Sequence, residues 1–164
     1  MEFSLSSEQE MLIESARAFA ENELYPHEEE VEQSDSVSPE LAQKIRDRAI
    51  EMGFYAANMP EDLGGGGLDC VSLSLVEREL GRANFALQYL VGRPSNILQA
   101  CVGQQRDHYL FPCIRGEKTD CLAMTEPGAG SDLRSMQCRA DVDGNDYVIN
   151  GTKHFISHAD IADF

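Results

Sequence analysis

Residues 121–133, CLAMTEPGAGSDL, hold the groups in this chain best suited to chemistry. Eight of these positions bring together the hydroxyls of Thr125 and Ser131 and the carboxylates of Glu126 and Asp132. Between them, Gly128 and Gly130 give backbone that a ligand can approach without meeting a Cβ, and that can take positive φ. Hydroxyls that both donate and accept, beside open amide N–H groups, suit the edge of a flat polar molecule. A plain polar turn after a strand uses the same residue types, so the loop alone leaves both readings open.

About twenty residues later the chain reads YVINGTKHFIS over 147–157, preceded by the turn residues Asp143, Gly144 and Asn145. TEPGAGSD followed at this distance by such a strand pair resembles the acyl-CoA dehydrogenase family. The helical layout upstream is similar as well, so the resemblance covers essentially the whole chain. It implies FAD as cofactor, an acyl-CoA thioester as substrate, an electron-transfer flavoprotein-like acceptor as partner, and a homo-oligomer when full length. In that family a hydride passes from the substrate β-carbon to flavin N5 while a carboxylate removes the α-proton, and a 2-enoyl-CoA results.

Carried over by position, the resemblance makes Leu122, Met124, Thr125, Phe155, Ile156 and Ser157 cofactor-binding, with the Thr125 hydroxyl on the polar ring edge. It gives Ser131 to the acyl-CoA. Phe155 stands where the family often has Trp, and Ser157 where it often has Thr; a ring face and a hydroxyl are kept in both cases. The family's catalytic Glu lies in a C-terminal helical domain, so no catalytic residue is expected in this chain, and Glu126 reads as a structural partner within its loop. Gly92 and Ser95 would help set the depth of an acyl pocket walled by neighbouring helices.

The resemblance gives an α+β fold class: an N-terminal all-α domain over 1–118, then the first strands of a β-barrel-like middle domain over 119–164. Family members run to well over twice this length, so the chain by itself is expected to be inactive. Two other readings stand beside this one: one subunit of a split flavoenzyme, and a non-catalytic helical interaction domain.

Composition limits the classes. A chain of 164 residues with 42% apolar side chains has the length and hydrophobicity of a globular domain and a half. Its formal charge of −16 repels polyanions, which argues against nucleic-acid binding and requires any CoA to be held by local donors. Five cysteines without a CxxC pair read as small core residues of a reducing compartment, and the location expected is cytoplasmic. Residues 1–4 carry no basic or Arg-rich leader pattern, and no run nears the roughly 18 apolar residues of a membrane span.

The elements that must position these groups can be read from periodicity. Two overlapping capping boxes, Ser6 with Gln9 and Ser7 with Glu10, precede an apolar series at Leu12, Ala16, Phe19, Ala20 and Leu24. That spacing predicts a long helix that either ends near Pro26 or runs through it, followed by an acidic run, 28–32, read as a solvated face. Ser38-Pro39 opens a second helix reaching to Gly53, with Leu41, Ile45, Ala49 and Met52 on one face. PEDLGGGGLD over 60–69 predicts a flexible surface loop and not a phosphate cradle, since no Lys-Ser/Thr pair follows.

Residues 71–80 are ambiguous between strand and helix, and the family layout favours helix. Further helical stretches over 83–101 and 104–114 contain Pro94 and Pro112, which should start or kink helices. Gly116 ends the last of them. From about 119 onward short apolar runs and an Asp-Gly-Asn turn predict strands and a hairpin. His154 and His158, four residues apart on a strand, would stand about 13 Å from each other, which argues against a zinc pair.

Overall fold

The computed structural model describes residues 4–92 and 94–164. Residues 1–3, read above for a leader, and Arg93, inside the predicted stretch 83–101, lie outside the described residues. The chain divides into two compact units, Met1–Lys118 and Thr119–Phe164. The first is helical and the second holds a two-stranded antiparallel sheet, an α+β arrangement.

The helices of the first unit are α1 (Ser7–Phe19), α2 (Glu28–Ser34), α3 (Pro39–Glu51), α4 (Cys70–Leu80), α5 (Phe85–Val91) and α6 (Phe111–Ile114). Of the two overlapping boxes, Ser6 with Gln9 is the one that caps α1. The Ser6 hydroxyl accepts from the Gln9 N–H at 3.2 Å, and Gln9 Oε1 accepts from the Ser6 N–H at 3.1 Å. Ser38 caps α3 by accepting from the Leu41 N–H, and Asp69 caps α4 by accepting from Val71 and Ser72. Residues 71–80 are thus helical, as the family layout implied.

Prolines shape the chain in a way the sequence does not spell out. Pro26 has no N–H, and in α geometry its ring would strike the Asn22 carbonyl. One widened π-helical turn, Ala20–Leu24, lies just upstream, with the Tyr25 N–H bonded back to Ala20 O, and a 3-10 turn, Tyr25–His27, leads into α2. The same device precedes Pro112: a π turn, Arg106–Leu110, two residues ahead of the proline, leads into α6. Both segments continue through their prolines without breaking.

Apolar periodicity is met by a core of Ala16, Phe19, Ala20, Leu24, Val31, Ile45, Ala49, Phe54, Val76, Leu80 and others. Phe19 and Phe54 meet edge to face at 5.4 Å. Helix α1 packs on α4, and α3 on α5. Met52, placed on the buried face by its spacing, is 39% exposed, because α3 ends at Glu51 and the chain turns away there.

Where α1 and α4 meet, Glu79 is buried at 3% exposure. One carboxylate oxygen accepts from Arg17 Nε at 3.0 Å and Arg82 Nη1 at 3.2 Å, the other from Arg78 Nε at 3.0 Å and Nη2 at 2.7 Å. The Arg17 hydrogen bond, with those of Arg78 and Arg82, overcomes burial and holds its pKa down at about 2.

One surface reading changes. The acidic run is only partly a solvated face: Glu28 accepts from the Asn84 N–H at 2.6 Å and Glu32 from Asn84 Nδ2 at 3.1 Å, securing the residue that caps α5. The glycine run is a surface loop whose amides are all bonded. The N–H groups of Gly64, Gly65, Gly66 and Gly67 donate to Glu61, Pro60, Ala56 and Met59 carbonyls. None of the four remains to cradle a phosphate. A Cβ on Gly65 would lie 2.3 Å from Met59 O, and one on Gly66 2.9 Å from Ala57 Cα, so close backbone crossing selects glycine.

Only Cys113 of the five cysteines is buried, and Cys70 is exposed because the first residue of α4 faces outward. Among the described residues no helix is long and apolar enough to cross a membrane. In the second unit β1 (Arg139–Asp143) and β2 (Asp146–Asn150) pair from Arg139 with Asn150 to Asp143 with Asp146. Gly144 at φ 63 makes the turn. Every residue of both strands is exposed.

Candidate functional site

The site is built around Glu126. Its N–H donates to Ala129 O at 3.0 Å and its carbonyl accepts from the Ala129 N–H at 3.1 Å, closing a turn over Pro127-Gly128. Glu126 is 7% exposed. Its Oε2 accepts from the Gln137 N–H at 2.7 Å; its Oε1 accepts from the Cys138 N–H at 2.9 Å and from Lys153 Nζ at 2.8 Å. These donors, the Gln137 amide foremost and then Lys153, hold the Glu126 pKa down at about 2. Both oxygens of this carboxylate are thus taken by donors, the place of a structural acceptor.

The second motif reaches this loop through Gly151. Its φ of +147 and a Cβ position only 2.7 Å from Cys138 Cα require glycine where the chain leaves β2. Lys153 then donates to Met124 O at 2.9 Å as well as to Glu126, and the His154 N–H donates to Thr125 O at 3.0 Å. At the other end, Asp163 and Thr119 exchange bonds of 2.8 Å, and the Cys121 N–H donates to Phe164 O at 3.1 Å. Residues 119–126 are therefore tied at both ends to later segments, although they enter no ladder of the sheet.

Of the positions carried over by resemblance, Met124, Thr125 and Ile156 are half-buried and Leu122, Ser131, Phe155 and Ser157 exposed. The bonds from Lys153 and His154 bring the segment of Met124 and Thr125 against the segment that leads into Phe155, Ile156 and Ser157. No hydrogen bond ties Ser131 to either, although the Asp132 beside it organises its own turn by accepting from Arg134 and Ser135. Phe155 is 87% exposed at φ 54, with its ring beside that of His154 at 4.2 Å. Among the described residues, the hydroxyls of Thr125, Ser131 and Ser157 bond no other residue.

Two expectations are corrected. Strand β2 ends at Asn150, so 151–158 is an irregular segment with left-handed backbone at Phe155 and His158, and a strand separation does not describe His154 and His158. Burial lowers the His158 pKa, and among the described residues no group of three or more His, Cys, Asp or Glu is placed to hold a metal. Gly128 and Gly130 do not take positive φ, and a Cβ on either would meet nothing within 4 Å, so what distinguishes them is open space. Gly92 ends α5, where a Cβ would lie 2.5 Å from Tyr89 O.

Beside the Glu126 turn lies a cleft of about 310 Å³, bounded by Pro127, Gly128, Ser135, Gln137, Cys138 and Thr152. Sequence reasoning overlooked Lys153. Its signal was a lone cation inside the second motif of a strongly acidic chain.

The acyl-CoA dehydrogenase N-terminal domain matches over residues 6–117 and the acyl-CoA dehydrogenase middle domain over 121–164. The chain belongs to the acyl-CoA dehydrogenase family. It is 35% identical over 163 residues to the 3-(aryl)acrylate reductase of Clostridium sporogenes, a match covering 96% of this chain and 42% of that protein. It is also 35% identical over 164 residues to the caffeyl-CoA reductase-Etf complex subunit CarC of Acetobacterium woodii, covering 96% and 42% respectively. The structure of an acyl-CoA dehydrogenase complexed with FAD from Bacillus anthracis is similar at a TM-score of 0.78 and 31% identity, over 98% of this chain and 28% of that one. The chain thus spans less than half the length of these relatives.

Proposed function

We propose that this chain supplies part of the cofactor face of an FAD-dependent oxidoreductase that interconverts an acyl-CoA thioester and its 2-enoyl-CoA, in the dehydrogenase sense. The observation carrying this reading is the pair of bonds from Lys153 and His154 to Met124 and Thr125, which brings the two motif segments together. The residues present suit a tricyclic ring. Phe155 offers an exposed aromatic face, Thr125 and Ser157 offer uncommitted hydroxyls for a polar edge, and Leu122, Met124 and Ile156 offer apolar contact. Bound FAD would supply the two-electron acceptor.

Within this reading Ser131 contacts the acyl-CoA, and open space at Gly128 and Gly130 lets a ligand approach the backbone. Glu126 takes no part in proton removal, so the α-proton goes to a base outside this chain's residues. An electron-transfer flavoprotein-type partner accords with the Etf complex named for the Acetobacterium relative. A cytoplasmic homo-oligomer completes the proposal. The test is to produce the full polypeptide, load it with FAD and add acyl-CoA thioesters without oxygen. Bleaching of the visible flavin band supports the reading; a polypeptide that takes up no FAD refutes it.

A further inference from the structure

We propose that Glu126 and Lys153 form a positioning pair that fixes Thr125 against the segment carrying Phe155 and Ser157, and so sets how the polar edge of the flavin is held. The inference rests on the flavin reading above and adds to it a specific control over that site.

Three consecutive acceptors in the first motif, Met124 O, Thr125 O and Glu126 Oε1, take hydrogen bonds from two consecutive residues of the second, Lys153 and His154. Thr125 lies between the two acceptors of one ammonium group. Phe155 and Ser157 lie two and four residues beyond the lysine. A rotation of either segment about the single His154–Thr125 bond is therefore blocked by the lysine on both sides of it. The clasp is sheltered: the Lys153 side chain is 23% exposed and that of Glu126 is 7%. Glu126 extends the hold, since its bonds to the Gln137 and Cys138 amides tie the same turn to the chain entering β1. Charge-assisted bonds in a sheltered site are stronger than neutral ones, and loss of one partner leaves the other short of its charged bond, with its backbone partners still holding it. Neither side chain needs to touch the cofactor; both act through the backbone they hold.

The experiment uses the full polypeptide with FAD as the probe, comparing wild type with Lys153→Met, Glu126→Gln and Lys153→Arg. Three quantities are read: the FAD dissociation constant, the flavin midpoint potential, and amide exchange at His154 and Cys138 without cofactor. Lys153→Met and Glu126→Gln are expected to weaken FAD by about tenfold, shift the potential and speed exchange at both amides. Lys153→Arg, which keeps the charge, should lie between them and wild type in all three. If wild type binds FAD and the Met and Gln variants match it in affinity and potential, the positioning role is overturned while the flavin reading stands. If wild type binds no FAD, the flavin reading falls, whatever the exchange data show about the clasp. Should Lys153→Met fail to fold, Lys153→Arg decides: an unchanged potential overturns the proposal, and a shifted one supports it.

Discussion

Replacing Glu79 with Gln removes a charge without changing shape, and the cost follows from the bonds made at the junction of α1 and α4. The carboxylate takes four N–H donors from Arg17, Arg78 and Arg82, two on each oxygen. A glutamine keeps one oxygen and turns an NH₂ toward the other two donors, so two bonds are lost. The arginine side chains are 45%, 56% and 52% exposed, so water reclaims them and the lower end of the range for charged hydrogen bonds applies, about 1.5 kcal/mol each. E79Q should therefore destabilise the helical unit by about 3 kcal/mol at pH 7. At about 4 °C per kcal/mol that lowers the melting point by about 12 °C. Its pH dependence is a sharper check. The folded pKa of about 2 lies below the ordinary 4.5, so this stabilisation is present above pH 4.5 and disappears as pH falls towards 2. Circular dichroism melts of both proteins across that window should converge. A difference below about 0.5 kcal/mol at pH 7, or one undiminished at pH 2, would refute the reasoning.

Other substitutions probe other links. Ser6→Ala opens the capping box of α1 and should cost about 1 kcal/mol in urea unfolding. Gly65→Ala drives a Cβ into Met59 O and should destabilise by about 2 kcal/mol or more, whereas Gly128→Ala, with open space, should leave the melting point within a degree or so. Phe155→Ala should leave thermal stability nearly unchanged because the ring is 87% exposed, yet reduce FAD affinity several-fold; unchanged affinity by fluorescence titration would remove Phe155 from the cofactor face.

Helices were legible wherever capping chemistry and apolar spacing agreed, as at Ser6 and Ser38, whereas 71–80, capped by Asp69, alternated like a strand and was assigned only through the family layout. Pro26 and Pro112 marked where the chain must deviate, but a π turn ahead of each depends on which carbonyl the ring would strike, which residue types alone do not specify. At the candidate site the two motifs were legible as a pair, and so was Glu126 as a structural group. The irregular path of 151–157 was hidden because β-favouring residues there read as strand, while Gly151 crossing Cys138 redirects the backbone. Lys153 and Glu79 escaped for one reason: their roles arise from partners 27 to 29 and up to 62 positions away.

Four adjacent glycines ordinarily invite a protein engineer to cut, splice or tag. Here 64–67 would punish that choice, since each amide is already anchored to an earlier carbonyl and two of the residues sit where another backbone passes within contact. An affinity tag or fluorescent insert placed at that run would unfasten the segment that leads into α4. The exposed hairpin tip at Gly144 and Asn145 is the safer port of entry.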